Sequence, residues 1–196
     1  SSTSDWHRIM QLGSSVASVL NSANDSSGGT AMLQDLVDSR NVIVETLAAA
    51  TVAAEDLAFR TEDVDEIASA LDAVTRIPAQ LSGETVSNAV YLLRIATTED
   101  GSVPRSISVT SAAAIARVSS NLLEADRSAS SGGEETLDAV MEVLATMSQS
   151  LATQLVLGQN PVVLHSSAFT MQVARTSTAQ PSATSPSLGP ILQLPD

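Results

Sequence analysis

The chain has 196 residues, enough for one domain with or without a tail, and is 43% hydrophobic but only 2% aromatic. Its core must come from Ala, Val, Leu and Ile, which suits close-packed helices better than a sheet built on aromatic cross-strand pairs. The formal net charge is -13 and all nine basic residues are Arg, with no cluster among them, which disfavours nucleic acid and anionic membrane surfaces as partners.

Over residues 6–20, Ile9, Leu12, Val16, Val19 and Leu20 recur at helical spacing and predict a first helix that buries this stripe, with Asp5 near its start. Trp6, the only Trp, reads as a core or staple residue. His7 has no second His nearby and reads as a lone exposed side chain rather than a metal ligand. Residues 21–30 form a polar loop in which Asn24-Asp25-Ser26 fits the N-glycosylation pattern, so Asn24 is the expected acceptor if the chain is extracellular. A second helix is predicted over 30–54, with Leu33, Leu36, Val37, Val44, Leu47 and Ala48 on one side. The alanines at 48–50 and 53–54 leave room for a neighbouring helix. The acidic run 55–66 lacks the Gly-centred spacing of a calcium loop and is accounted for by the dipole of a helix start.

Residues 61–97 organise the chain. Val64, Ile67, Leu71, Val74 and Ile77 form one apolar stripe, with Thr61 as its expected N-cap and Pro78 as its stop. Ser82 then offers an N-cap, Glu84 places negative charge in the next first turn, and Val86, Ala89, Val90 and Leu93 make a second stripe. So short a connection predicts an antiparallel helical hairpin on which the other elements pack. Residues 98–104 read as a loop. A fifth helix is predicted over 106–125, through Ile107, Ala114, Ile115, Val118, Leu122 and Leu123, and a sixth over 134–157. The sixth carries Leu137, Val140, Met141, Leu144, Met147, Leu151 and Leu155 on its buried stripe, the methionines acting as gap-fillers, and Gly158 as a C-terminal glycine.

At Pro161 the period changes from helix to strand. Val162-Val163-Leu164 is a short apolar run, and Phe169, Met171 and Val173 alternate with Thr170 and Gln172. Residues 176–190 are rich in Ser, Thr and Pro, and Ile191-Leu192-Gln193-Leu194 reads as the first strand of a further unit. The expected division is thus a mainly α body of about six helices at 1–160, followed by strands and linker at 161–196 that lead into a β-sandwich.

Catalysis lacks parts. There is no Gly-rich phosphate loop, no paired-histidine metal motif and no serine in a nucleophile elbow, and zero Cys removes disulfides, thiolate ligands and a cysteine nucleophile together. No enzyme activity, cofactor or metal is therefore expected. No apolar run approaches the roughly 20 residues of a membrane span, so direct insertion of this segment is not expected either. A helical ligand-sensing or protein-interaction bundle is the rival reading, with Tyr91 or Arg94 lining a pocket for a small ligand between the helices.

Three stretches carry a resemblance: Leu71-Asp72-Ala73-Val74-Thr75 with Ile77-Pro78 and Leu81-Ser82; the segment 118–125, Val-Ser-Ser-Asn-Leu-Leu-Glu-Ala; and Pro161-Val162-Val163-Leu164 with Phe169-Thr170-Met171-Gln172-Val173. Over residues 32–175 the chain resembles the helical region that precedes the autoproteolysis domain of polycystin-like proteins, the end of a receptor-for-egg-jelly (REJ) region entering a GAIN domain. The resemblance implies a non-catalytic scaffold or adhesion module on the extracellular side of a membrane, in a ciliary glycoprotein associated with polycystin-type cation channel subunits. Extracellular glycoproteins of the ciliary surface are the further partners it implies. The family's self-cleaving site is His-Leu followed by Thr or Ser; Leu164-His165-Ser166 has another order and lies early, so His165 reads as a strand-end residue.

Overall fold

A computed structural model describes residues 2–23, 30–54, 59–99, 103–129, 134–175 and 191–193. Among them are six α-helices: α1 (Ser2–Ala23), α2 (Thr30–Ala53), α3 (Thr61–Thr75), α4 (Gly83–Thr97), α5 (Val109–Ala129) and α6 (Glu134–Gln154). The mainly α fold expected from the stripes is thus observed. Successive helices pair as three hairpins that stack side by side. Helix α3 lies between α1 and α5 in one layer, and α4 lies between α2 and α6 in the other. The α3/α4 hairpin is the central one, touched by every other helix.

Its local chemistry explains its position. Val64, Ile67, Leu71 and Val74 of α3 are buried, as are Val86, Ala89, Val90 and Leu93 of α4, so both stripes point into the core. Pro78 opens a short 3-10 turn (Pro78–Gln80), and the Ser82 hydroxyl caps α4 by accepting from the Thr85 amide at 3.1 Å. The start of α3 differs from expectation. Its N-cap is Arg60, and the Asp63 carboxylate reaches back to accept from the Arg60 amide at 2.6 Å. Asp63 so satisfies an orphan donor that Thr61 does not.

The expected stripe of α1 faces the core only in part, with Ile9 half-buried against it. Trp6, Met10 and Ala17 are buried, whereas Leu12 and Val19 are 63% and 68% exposed and Val16 is also exposed. The buried set shares its face with Gly13, where a Cβ would stand 2.9 Å from Leu47 Cδ2 of α2. Close approach of the two helices, rather than bulk on α1, selects the buried face. In α2 the buried line is Leu36, Arg40, Val44, Leu47 and Thr51, and Leu33 is exposed. Arg40 has no accessible surface. Its Nε donates to Gln80 Oε1 at 2.9 Å, its Nη2 to Asn21 Oδ1 at 2.7 Å, and its Nη1 to the Val74 carbonyl. Asn21 in turn donates to the Ala73 carbonyl at 2.9 Å.

Helix α5 starts at Val109, later than expected, because Ser108 caps it by accepting from the Ser111 amide at 3.0 Å. Ile107, Ile115, Val118 and Leu122 are fully buried. Helix α6 ends at Gln154, earlier than expected. Val140, Leu144, Met147 and Leu151 face the core, but Leu137 and Met141 are exposed, so only one of these two methionines fills a gap. Gly158 has a positive φ of 83°, in a turn beyond the helix rather than at its end. The supposed loop after α4 contains a two-residue ladder, β1 (Thr98–Glu99) with β2 (Val103–Pro104), paired antiparallel.

The C-terminal strands β3 (Val162–His165), β4 (Thr170–Val173) and β5 (Ile191–Gln193) form one antiparallel sheet in the order β3-β4-β5. Met171 lies opposite both Leu164 and Leu192. Strand β5 therefore pairs with β4 at the edge of this sheet. Leu164, Phe169, Met171 and Val173 are buried, and the sheet sits on α5 through β3 and on α6 through β4. Ser120, fully buried in mid-α5, fastens the β3–β4 turn. Its oxygen accepts from the Ala168 amide at 2.8 Å and pairs with the Ser167 hydroxyl at 2.8 Å.

The Ser120→Ala variant leaves a partly buried Ala168 N–H without its acceptor, a loss of about 1–3 kcal/mol. The expected outcome in urea unfolding is a destabilisation in this range. Amides of β3 and β4 should exchange faster while those of α3 and α4 keep their protection; uniform acceleration across all six helices would show that Ser120 does not act through the sheet.

Candidate functional site

Trp6 is 5% exposed and packs against Phe59 with ring centroids 5.6 Å apart, so it belongs to the core as expected. His7 departs from expectation. It is half-buried, with Nδ1 2.7 Å from Glu66 Oε2 and Nε2 3.6 Å from Asp63 Oδ1, because the stacking of α1 on α3 brings it over the acidic first turns of α3. Of the acidic run, Asp63 serves as a helix cap and Asp65 accepts from the hydroxyls of Ser108 and Ser111 on the far side. These carboxylates are thus engaged in helix ends and helix contacts. No group of three or more potential metal ligands occurs among the described residues. Asn24 lies outside the described residues. No described helix is long and apolar enough to cross a membrane.

Two of the clefts among the described residues collect polar side chains from three or more elements. The larger, of about 950 Å3, runs between α4 and α6 and has Val86, Val90 and Tyr91 along one wall. Arg94 bridges it to Glu142 at 2.6 Å, and Asp126, Glu134, Glu135 and Asp138 complete a strongly acidic rim. Tyr91 and Arg94 are therefore brought to one groove, as the ligand-binding reading requires, though the groove is a surface channel rather than an apolar pocket in the bundle.

The second cleft, of about 490 Å3, opens where the α1–α3–α5 layer meets the β3–β4 turn. Ser14 comes from α1; Ser69 and Asp72 from α3 and Arg76 from its C-cap; Arg117, Ser120 and Asn121 from α5; and His165, Ser166 and Ser167 from the end of β3 and its turn. Arg117 grips Asp72 with a fork, Nη2 to Oδ2 at 2.7 Å and Nε to the two oxygens at 3.2 and 3.1 Å. This hydrogen bonding raises the Arg117 pKa above its ordinary value, outweighing the lowering by partial burial. His165 is the last residue of β3, as expected, and exposed, with Nδ1 3.2 Å from Thr170 Oγ1. This assembly escapes sequence reasoning because its contributors lie on four separate elements. The one visible signal is the pair of serines at 166–167 after a strand, matched to a serine pair at 119–120 beside the apolar stripe of α5.

Comparison with family models, with curated proteins and with solved structures found no match.

The Asp72–Arg117 fork is half open to solvent on its arginine side, 49% exposed, so its worth is bounded by that of surface pairs, below about 1 kcal/mol. A raised arginine pKa means stabilisation present throughout the range where the unfolded side chain is protonated, lost only as pH rises through the raised value. The expected result for Asp72→Asn is a small loss in urea unfolding at low salt that shrinks at high salt, while deprotonation of Arg117 plays no part between about pH 7 and 10. A loss several times larger, insensitive to salt, would contradict the surface character of the pair.

Proposed function

We propose that this chain is a non-catalytic scaffold and adhesion module on the extracellular side of a membrane, within a polycystin-like ciliary protein. It is the helical part of a REJ/GAIN-type region, and its parent protein associates with polycystin-type cation channel subunits and with glycoproteins of the ciliary surface. Support comes from the resemblance over residues 32–175 together with one physical observation, the seating of the C-terminal sheet on the helical body. Four buried apolar side chains and the Ser120 anchor couple the strands to α5 and α6. Force or binding at the helices passes through this junction into the strands, and from there into a following β-sandwich. Such coupling suits a module that transmits rather than transforms. Asn24 carries a glycan in this reading.

The second reading, a ligand-sensing bundle, is favoured by the α4–α6 groove with Tyr91 and Arg94 on its walls. Cell-surface labelling separates the two. An antibody against this chain is expected to stain the cilia of intact, unpermeabilised cells, and peptide mass spectrometry of native material is expected to find a glycan on Asn24. Staining only after permeabilisation would overturn the extracellular reading and leave the sensing bundle in its place.

A further inference from the structure

The junction cleft differs electrostatically from the molecule that carries it. The chain has a formal net charge of -13, yet the charged groups lining this cleft are Arg76, Arg117 and a single carboxylate, Asp72, which the Arg117 fork already holds. Arg76 follows the last turn of α3, is exposed, and makes no ion pair among the described residues. His165, at the end of β3, uses Nδ1 toward Thr170, which leaves Nε2 for another partner. Ser14 and Ser69 also line the cleft. Positive charge and hydrogen-bond donors thus converge from α1, α3, α5 and the end of β3 on one space.

We propose that this cleft binds a small ligand bearing one tetrahedral oxyanion ester, with Arg76 as the main charge partner and His165 and the serine hydroxyls as further hydrogen-bond partners. Guanidinium groups suit such an anion because their planar fork offers paired donors. The cleft, at about 490 Å3, falls in the range of sites for small organic ligands, so the oxyanion is carried on a polar body rather than bound bare. Serine-lined walls match a hydroxylated body. Occupancy spans the seam between the helical layer and the sheet, so the ligand adds a bridge parallel to the Ser120 anchor. The inference concerns binding alone and is independent of the cellular location proposed above.

The test is calorimetric titration of the full chain with inorganic phosphate and, separately, with glycerol 1-phosphate, against chloride at matched ionic strength. Arg76→Ala and His165→Ala alter exposed side chains, and Arg127→Ala, an exposed arginine outside the cleft, serves as control. The expected result is saturable binding, tighter for the ester than for the bare ion. It should be retained by Arg127→Ala and weakened about tenfold by Arg76→Ala, the change one charge-assisted hydrogen bond commands. Circular dichroism of each variant confirms the fold. Absence of saturable binding, equal weakening by Arg127→Ala, or no effect of Arg76→Ala would each overturn the proposal; tighter binding of the bare ion would overturn the ester.

Discussion

The buried guanidinium of Arg40 is the constraint on which the helical body depends. A core of Ala, Val, Leu and Ile is cohesive but non-directional, and helices that carry it slide past one another at little cost. Arg40 removes that freedom. It sits on α2 with no accessible surface and donates to α1 through Asn21, to the end of α3 through the Val74 carbonyl, and to the 3-10 turn through Gln80. No carboxylate neutralises it among these partners. Burial lowers its pKa, as desolvation of a cation must. Compensation comes from the carbonyl end of α3, where the helix dipole is negative, and from two side-chain amides. The planar shape of the guanidinium lets one side chain address three acceptors, which an ammonium on a flexible stem does less well. Since α3 and its turn lead directly into α4, fixing their junction fixes the central hairpin against α1 and α2.

The other half of the body is secured by smaller polar contacts of the same kind. Ser150 of α6 accepts from the Ile107 amide at 3.2 Å, and Gln154 donates to the Ile107 carbonyl at 3.0 Å, which holds the chain as it enters α5. Arg105 lies over the Phe59 ring at 5.3 Å and donates to the Ile95 and Phe59 carbonyls, joining the approaches to α3 and α5. Ser120 then carries the order outward to the sheet. The junction cleft is a consequence: its donors face one another because α3, α5 and the β3–β4 turn are each held in place by contacts elsewhere.

The central hairpin was legible because its signals agree. In α3 and α4 the apolar spacing, Pro78 and the Ser82 cap all mark the same boundaries, and every one of those stripe residues within the helices is buried. In α1 two stripes compete. Counting apolar bulk selects Leu12, Val16 and Val19, but the packing face is Trp6, Met10, Gly13 and Ala17, where small residues admit α2. Burial of Arg40 and Thr51 was invisible for the converse reason, since hydrophobic counting passes over polar residues that occupy core positions. Pairing of β5 with β4 depends on contacts between residues about 20 apart, which periodicity within a strand does not encode. The cleft is still less legible, being assembled from four elements.

Unfolding of Arg40→Lys and Arg40→Met in urea tests the role of this side chain most directly. Both variants are expected to lose at least about 2 kcal/mol, with Lys no better than Met, because methionine has no donor and a buried lysine ammonium lacks the planar fork that reaches acceptors on three elements at once. Protection from amide exchange should fall first at the end of α3 and the 3-10 turn. A methionine variant as stable as the parent, with unchanged exchange there, would contradict it, since it would show that the apolar core alone sets how these helices stack.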